Sequence, residues 1–232
     1  MKIFLDTASR VELERFLDWG IIAGVTTNQK LFLAEKGVDF RERVIEIARL
    51  VEGPVSVELV GLRFEAMIEE ARDRFGWAPD RIVIKVPMMG DGTGLRVMAQ
   101  LARWSIPVNA TAVMTVNQAV LAALAGARYV SLFFNRIRDG GEDGEGAIYQ
   151  TRQILAREGL KTEVLAGSIR SPEDVRRVLV AGAHVVTVPP KILAQLAYHV
   201  KSEETIEEFD RAWREFEGAQ VATARQRSVS AR

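Results

Sequence analysis

The chain has 232 residues, of which 48% are hydrophobic and 27% charged, and its 31 basic and 31 acidic side chains give a formal net charge of zero. This composition is typical of soluble globular proteins. Without an overall positive field, the chain is not expected to bind nucleic acid through bulk electrostatics. With no cysteine, the sequence offers no disulfides, thiolate nucleophiles or cysteine-ligated metals, and two histidines are too few for a common zinc site.

The N-terminal residues become acidic by Asp6 and contain no long apolar run with a small-residue cleavage site, so no signal peptide is expected. No stretch of the sequence approaches the roughly 18 apolar residues that a membrane span needs. We therefore expect a cytoplasmic protein that has no membrane partner.

Short apolar segments rich in β-branched residues alternate along the chain with segments of helical periodicity. Eight of them predict strands, at Ile3–Leu5, Gly24–Thr27, Val55–Leu59, Ile82–Val86, Val108–Ala112, Tyr129–Phe134, Glu163–Ala166 and Val185–Val188. The helical segments are Val11–Trp19, Phe40–Val51, Arg63–Phe75, Gly92–Arg103, Val116–Ala125, Glu145–Glu158, Pro172–Ala181, Pro190–Ala197 and Ile206–Phe216. The strands are almost continuously apolar, which is typical of a parallel sheet covered by helices.

Several helix starts carry capping residues. Three fit a capping box, in which two side chains satisfy free amide donors: Ser9 with Glu12, Thr115 with Gln118, and Thr205 with Glu208. A fourth start has Ser171 followed by Pro172, a cap hydroxyl with proline at the first helical position. These residues support the predicted order of strands and helices.

Eight strand and helix units without a linker predict an α/β fold, a single (β/α)8 TIM barrel with an additional C-terminal helix. An open doubly wound sheet is the alternative, but no Gly-x-Gly-x-x-Gly follows the first strand. Residues 1–217 are assigned to the barrel and its C-terminal helix. Residues 218–232 lack apolar periodicity and are predicted to form a flexible tail.

Polar residues gather at the carboxyl ends of the predicted strands, where barrels of this kind carry their chemistry. Lys85 stands out because apolar residues surround it within its strand. Burial disfavours the charged ammonium, and a free amine can form a Schiff base with a ketone. The alternative is a buried stem with its head in water. The other polar residues at these ends are Asp6, Thr26, Asn28, Glu58, Asn109, Thr111, Ser131, Arg136, Ser168 and Arg170.

Each of these residues also has a structural explanation. Asp6 and Asn28 fit turns, Glu58 can neutralise a buried arginine, and Asn109 can be a satisfied core amide. The guanidinium groups of Arg136 and Arg170, together with Ser168, suit a phosphate, although surface ion pairs with Asp139 or Glu173 are the alternative. The convergence of an amine, two carboxylates and two amides on one barrel mouth favours an enzyme active site.

The motifs at these strand ends resemble those of short-form transaldolases, in the family that also contains fructose-6-phosphate aldolase. The resemblance runs in register from residue 1 to about the end of the eighth predicted helix. It rests on Phe4-Leu5-Asp6-Thr7-Ala8, Gly24-Val25-Thr26-Thr27-Asn28, Ile84-Lys85-Val86-Pro87, Val108-Asn109-Ala110-Thr111-Ala112, Asn135-Arg136-Ile137 and Gly167-Ser168-Ile169-Arg170.

The resemblance implies a role for each residue. Lys85 is the Schiff-base lysine, Asp6 the acid/base for carbon–carbon cleavage, and Glu58 and Thr111 hold the catalytic water. The implied substrate-binding residues are Thr26, Asn28, Asn109, Ser131, Phe133, Arg136, Ser168 and Arg170. Neither a metal nor a cofactor is expected, because the protonated imine serves as the electron sink.

Within the family, glutamate and phenylalanine at the positions of Glu58 and Phe133 favour a transaldolase of the pentose phosphate pathway, which transfers a dihydroxyacetone unit between sugar phosphates. An aldolase that releases free dihydroxyacetone and a silent sugar-phosphate-binding barrel remain alternatives. Gln29, Lys30 and Asn135 depart from the family pattern and leave a sulfonated sugar conceivable. Short-form members also imply a homo-oligomer, a pentamer or decamer, built through the C-terminal helix.

Overall fold

The computed structural model describes the backbone of residues 1–230 and the side chains of residues 1–220. Parallel strands close into a barrel in which each strand pairs with the next and β8 pairs with β1. The strands are β1 (Lys2–Asp6), β2 (Ile22–Thr26), β3 (Val55–Glu58), β4 (Ile82–Pro87), β5 (Val108–Val113), β6 (Tyr129–Phe133), β7 (Glu163–Gly167) and β8 (Val185–Val188). The predicted (β/α)8 barrel is confirmed.

Helices connect successive strands on the outside of this barrel: α1 (Arg10–Leu17), α2 (Gln29–Ala34), α3 (Phe40–Leu50), α4 (Phe64–Gly76), α5 (Thr93–Arg103), α6 (Val116–Leu124), α7 (Phe134–Asp139), α8 (Gly144–Arg157) and α9 (Pro172–Val180). Within residues 1–230, α10 (Pro190–Ala197) and α11 (Val200–Ser230) follow the last strand. The sequence analysis missed α2 and α7. Each has only 6 residues, which is too short for a helical period to stand out.

The barrel interior contains an apolar layer with the polar residues of the mouth directly above it. The apolar layer consists of Phe4, Val83, Tyr129, Leu165 and Val185, all buried. Side chains two residues apart on a strand point to the same face. The residues two positions further along the same five strands are Asp6, Lys85, Ser131, Gly167 and Thr187. The strand period therefore places a polar layer on top of the apolar one, toward the carboxyl ends.

A glycine allows α5 to begin close to this polar layer. Gly94 lies in the first turn of α5, and a Cβ atom there would collide with the Pro87 carbonyl oxygen. Because glycine has no side chain, the helix start can pack against the end of β4. This contact fixes the end of the strand that carries Lys85.

Two of the predicted helix caps form as expected and two do not. Thr115 and Ser171 both complete capping boxes. Ser9 precedes α1, but its side chain makes no capping hydrogen bond. Thr205 lies inside α11 because that helix already begins at Val200. The capping boxes predicted at Ser9 and Thr205 are therefore wrong.

The chain divides into two compact units, Met1–Leu193 and a second that begins at Ala194. In the second unit, α11 extends well beyond the predicted segment Ile206–Phe216. The predicted flexible tail, 218–232, falls largely outside the described side chains, and its boundary at residue 217 stays a prediction. No helix in the described part of the chain is both long and apolar enough to cross a membrane.

Candidate active site

Lys85, on β4, is the amine of the polar layer and lines the cavity at the mouth of the barrel. Its neighbours in the sheet are Glu58 on β3 and Asn109 on β5. The buried Nζ donates a hydrogen bond to the Thr27 carbonyl at 2.9 Å and lies 3.1 Å from Glu58 Oε2. The amine therefore has a fixed acceptor and, beside it, a carboxylate that can take up its proton.

Asp6, at the end of β1, is the carboxylate of the polar layer itself. Thr26 Oγ1 donates to Asp6 Oδ1 at 2.7 Å, and the hydroxyls of Thr26 and Thr187 are 2.5 Å apart. Burial raises the pKa of Asp6, and the nearby Glu58 charge adds to this effect, while Lys85 and the Thr26 hydrogen bond act against it. A carboxylate with a raised pKa is a stronger base near neutral pH, which suits proton transfer.

A chain of hydrogen bonds fixes the amide of Asn109. Ser131 Oγ donates to Asn109 Oδ1 at 2.7 Å, and Asn109 Nδ2 donates to Ser56 Oγ at 3.1 Å. Asn109 is fully buried. Both ends of its amide are therefore satisfied by protein groups, and it acts on the mouth through Ser131.

The polar layer encloses a cavity of about 150 Å³ at the carboxyl ends of the strands. Eight of the predicted site residues line it: Asp6, Thr26, Asn28, Lys85, Ser131, Phe133, Arg136 and Ser168. Glu58 adjoins it through its ion pair with Lys85. Residues that lie up to 162 positions apart along the chain are thereby brought to one place.

Asn28 both caps a helix and lines the cavity. Its Oδ1 caps α2 by accepting from the amides of Lys30 and Leu31 at 3.0 and 3.2 Å. Its side chain also lines the cavity. The short helix α2, which the sequence analysis missed, thus orients an amide toward the mouth.

Arg136 and Ser168 form the positively charged side of the cavity. Arg136 lies on α7 with its guanidinium over the Phe133 ring, 5.6 Å from the ring centre. Ser168 has a left-handed backbone with φ of 61°. Arg170 differs from both, because its exposed guanidinium pairs with Asp139 at 2.8 and 2.5 Å. The structure therefore brings two of the three predicted anion-binding residues together and turns the third toward a surface carboxylate.

Thr111 lies on β5 where the strand is irregular. The pairing register with β6 shifts between Ala110 and Val113, and Ala112 has a φ of 56°. Such bulges redirect side chains beside active sites. Thr111 is buried, and its Oγ1 has no hydrogen-bond partner among the described residues. A buried hydroxyl of this kind is suited to a small polar ligand such as water.

The structure adds residues that the sequence analysis did not select. Thr187 and Ser56 interrupt apolar strands, which is the same pattern that identified Lys85 and Asn109. A second cavity of about 200 Å³ shares Asn28 with the first and is lined by Thr27, Asn28, Gln29, Phe32, Phe40, Glu58, Val60 and Arg74. No sequence pattern points to this cavity, because it depends on how α2 and α3 pack.

Among the described residues, no three or more histidine, aspartate or glutamate side chains are grouped so that they could hold a metal ion.

The raised pKa of Asp6 predicts a stability effect. The folded state holds the proton of the Asp6 carboxyl more tightly than the unfolded chain does, in which an aspartate has a pKa of about 4. The protein therefore loses stability as the pH rises through the folded pKa, and Asp6→Asn, which does not titrate, avoids this loss. We expect Asp6→Asn to raise the Tm at pH 8 by about 2–4 °C and to give less advantage at pH 5, measured by thermal unfolding.

Asp80→Asn, which changes an exposed aspartate before β4 at the opposite end of the barrel, serves as the matched control. A Tm difference between Asp6→Asn and the original protein that does not vary with pH would contradict this prediction.

Solved structures with similar folds share the barrel. An inosine 5′-monophosphate dehydrogenase from Legionella pneumophila superposes with a TM-score of 0.59 at 15% sequence identity, covering 83% of this chain and 58% of that one. A mandelate oxidase variant superposes with a TM-score of 0.55 at 20% identity, covering 82% and 64%. At these identities the likeness concerns the fold alone.

Sequence relatives are much more similar. Proteins named probable transaldolase from Alkaliphilus metalliredigens and Carboxydothermus hydrogenoformans are 41% and 43% identical over 213 residues, which is 92% of this chain and 98% of each relative. One from Thermoplasma acidophilum is 44% identical over 216 residues, 92% of this chain and 96% of that protein. Residues 3–229 match the family described as Transaldolase/Fructose-6-phosphate aldolase. The chain belongs to this family of enzymes.

Proposed function

We propose that the protein is a transaldolase that moves a three-carbon dihydroxyacetone unit from a ketose phosphate to an aldose phosphate through a Schiff base on Lys85. The observation that carries the proposal is the contact between Lys85 Nζ and Glu58 Oε2 at 3.1 Å inside the cavity mouth. A lysine must lose its proton before it attacks a ketone, and Glu58 is the adjoining base.

Carbon–carbon cleavage then needs a base for the substrate hydroxyl. Asp6 fits this role, because it lines the same cavity as Lys85 and its pKa is raised. As the bond breaks, Asp6 takes the hydroxyl proton, the electron pair of the bond moves into the protonated imine, and an aldehyde leaves. A three-carbon enamine remains on Lys85.

The second half of the reaction reverses these steps with a new aldehyde. The enamine attacks the acceptor carbonyl, and Asp6 returns its proton to the new hydroxyl. Water then hydrolyses the imine and frees the ketose. Glu58 and the hydroxyl of Thr111, which has no hydrogen-bond partner in the described part of the chain, support a site for this water at the ends of β3 and β5.

The terminal phosphate of the sugar fits the side of the cavity that Arg136 and Ser168 form. A guanidinium supplies charge and several donors, and Ser168 adds a hydroxyl. Arg170 follows in the same loop, and its pairing with Asp139 would have to open for it to reach the ligand. A sulfonated sugar would place the same demands on this subsite.

The related aldolase activity would release dihydroxyacetone without an acceptor. Glu58 and Phe133 favour the transaldolase, because the aldolase branch of the family resembles it but has glutamine and tyrosine at these positions. A location in the cytoplasm and a place in the pentose phosphate pathway accompany the proposal as predictions.

Assembly into a homo-oligomer, a pentamer or decamer, is also proposed. Three aromatic side chains of α11, Phe209, Trp213 and Phe216, follow one another at spacings of four and three residues and are 70%, 58% and 51% exposed in the single chain. An exposed apolar stripe of this kind favours burial against another surface. The family resemblance implies that this surface belongs to another copy of the same chain.

The central test is borohydride reduction in the presence of fructose 6-phosphate, followed by peptide mass mapping. We expect a covalent adduct on Lys85, and no adduct and no detectable turnover in Lys85→Met, whose apolar side chain fits the strand but cannot form an imine. Lys161→Met, at an exposed lysine before β7 on the opposite end of the barrel, is the control. This variant should form the adduct on Lys85 and keep its turnover.

Normal turnover by Lys85→Met would refute the Schiff-base proposal. Release of free dihydroxyacetone at an unchanged rate without an acceptor aldehyde would instead assign the aldolase activity.

The anion subsite predicts a selective loss of substrate affinity. Arg136→Ala should raise the KM for fructose 6-phosphate by about tenfold or more, and Arg136→Ala combined with Arg170→Ala should raise it further. Trapping of unphosphorylated dihydroxyacetone on Lys85 should be nearly unaffected. Steady-state kinetics measure the KM and borohydride reduction measures the trapping, with Arg157→Ala on the exposed end of α8 as the control. Equal weakening of both substrates would make the arginines structural.

The oligomer is tested by light scattering on the full chain and on a chain ending at Lys201. We expect a large oligomer for the first and a smaller species for the second. The full-length variant Phe209→Ser, Trp213→Ser, Phe216→Ser removes the stripe without shortening the chain and should also dissociate. A full-length monomer would refute the oligomer, and a shortened oligomer of unchanged size would refute the role of α11.

A further inference from the structure

Asn135 connects the two elements that form the charged side of the cavity. It lies on α7 directly before Arg136 and is only 6% exposed. Its Nδ2 donates to the Ser168 carbonyl at 2.8 Å and to Asp174 Oδ2 at 2.7 Å. One buried amide therefore joins the helix that carries Arg136 to the loop that carries Ser168.

Asp174 fixes the same loop from its other end. Its Oδ2 also accepts from the backbone amides of Arg170 and Ser171 at 2.8 and 2.9 Å. Burial would raise the pKa of Asp174, but hydrogen bonds from Asn135, Arg170 and Ser171 outweigh burial and lower it. The carboxylate thus stays ionised, and it binds the Asn135 amide more strongly than a neutral group would.

The loop after β7, which carries Ser168, needs such support. Ser168 has a φ of 61°, a left-handed conformation that is unfavourable for a residue with a side chain. Conformations of this kind persist where surrounding contacts hold them. The bond from Asn135 to the Ser168 carbonyl is such a contact, and this backbone conformation accompanies the position of Ser168 in the cavity wall beside Arg136.

We propose that Asn135 is a positioning residue that sets the spacing between Arg136 and Ser168 and thereby determines how well the site binds substrates with a terminal phosphate. The inference rests on the proposed sugar-phosphate chemistry of this cavity and assigns the residue that organises its anion subsite. Asn135 touches neither the reacting carbons nor Lys85, because its polar atoms contact Ser168, Asp174 and Arg138. It acts through Ser168.

The first experiment separates anion binding from Schiff-base chemistry. Asn135→Ala should raise the KM for fructose 6-phosphate and the inhibition constant of inorganic phosphate by about tenfold each. Borohydride trapping of dihydroxyacetone, which carries no phosphate, should proceed at the original rate. Asn135→Leu, which keeps the size and branching of the side chain but loses the donor, should give the same pattern if the alanine variant is poorly folded.

A control tests whether any lost buried hydrogen bond has this effect. Thr162 Oγ1 donates to the Ala127 carbonyl at 2.7 Å, just before β7 and therefore at the opposite end of the barrel. Thr162→Val removes this bond while keeping the size of the side chain. It should lower the Tm and leave the KM for fructose 6-phosphate unchanged.

A double-mutant cycle tests whether Asn135 acts through the Ser168 backbone. Glycine adopts a φ of 61° without strain, so Ser168→Gly removes the need for the supporting bond. In that background, adding Asn135→Ala should raise the inhibition constant of inorganic phosphate by less than about threefold. Additive effects of the two changes would overturn the proposed route through Ser168.

The outcomes distinguish this inference from the proposed function. If the original protein forms no adduct with dihydroxyacetone on Lys85, the Schiff-base proposal fails. If it forms the adduct and Asn135→Ala leaves phosphate inhibition unchanged, the inference about Asn135 fails. If Asn135→Ala weakens phosphate binding and dihydroxyacetone trapping equally, Asn135 is a general structural residue and the inference is again overturned.

Discussion

The ion pair between Lys85 and Glu58 is the interaction on which the barrel mouth depends. An isolated ammonium among apolar strands would cost several kcal/mol of desolvation free energy. Glu58 Oε2 at 3.1 Å and the Thr27 carbonyl at 2.9 Å offset that cost. Both contacts require β2, β3 and β4 to keep their register, because a slip of one residue would turn these side chains to the other face. The environment of the Lys85 amine therefore depends on the register of the sheet.

The two carboxylates of the mouth have different surroundings. Glu58 is in contact with the Lys85 amine, whereas Asp6 is held by the Thr26 hydroxyl within the polar layer. Burial gives Asp6 a higher affinity for protons, and the hydrogen bond from Thr26 fixes its direction. Different environments for similar groups suit them to different proton transfers, as the proposed mechanism requires. The apolar layer beneath them supplies the rigid base on which both are held.

Features that repeat along a strand could be predicted from the sequence, whereas features that depend on the conformation of loops could not. The strand period and the polar residues at the strand ends predicted the barrel and seven residues of the cavity wall, and the family resemblance added an eighth, Phe133. The helices α2 and α7 were missed because six residues show no clear period, and they carry Asn28 and Arg136 close to the mouth. The left-handed backbone at Ser168 and the turn of Arg170 toward Asp139 depend on contacts between distant segments, which a single sequence does not display.

The hydrogen bond between Thr26 and Thr187 joins residues 161 positions apart and spans β1, the strand that closes the barrel with β8. During synthesis, the strand that carries Thr187 is the last of the eight to leave the ribosome. Until then, Asp6 and Thr26 lack part of their polar support, and β1 has one unpaired edge. The polar mouth is consequently assembled only after β8 has been synthesised, so a translation product that stops before Thr187 would have no organised mouth even though it contains Lys85.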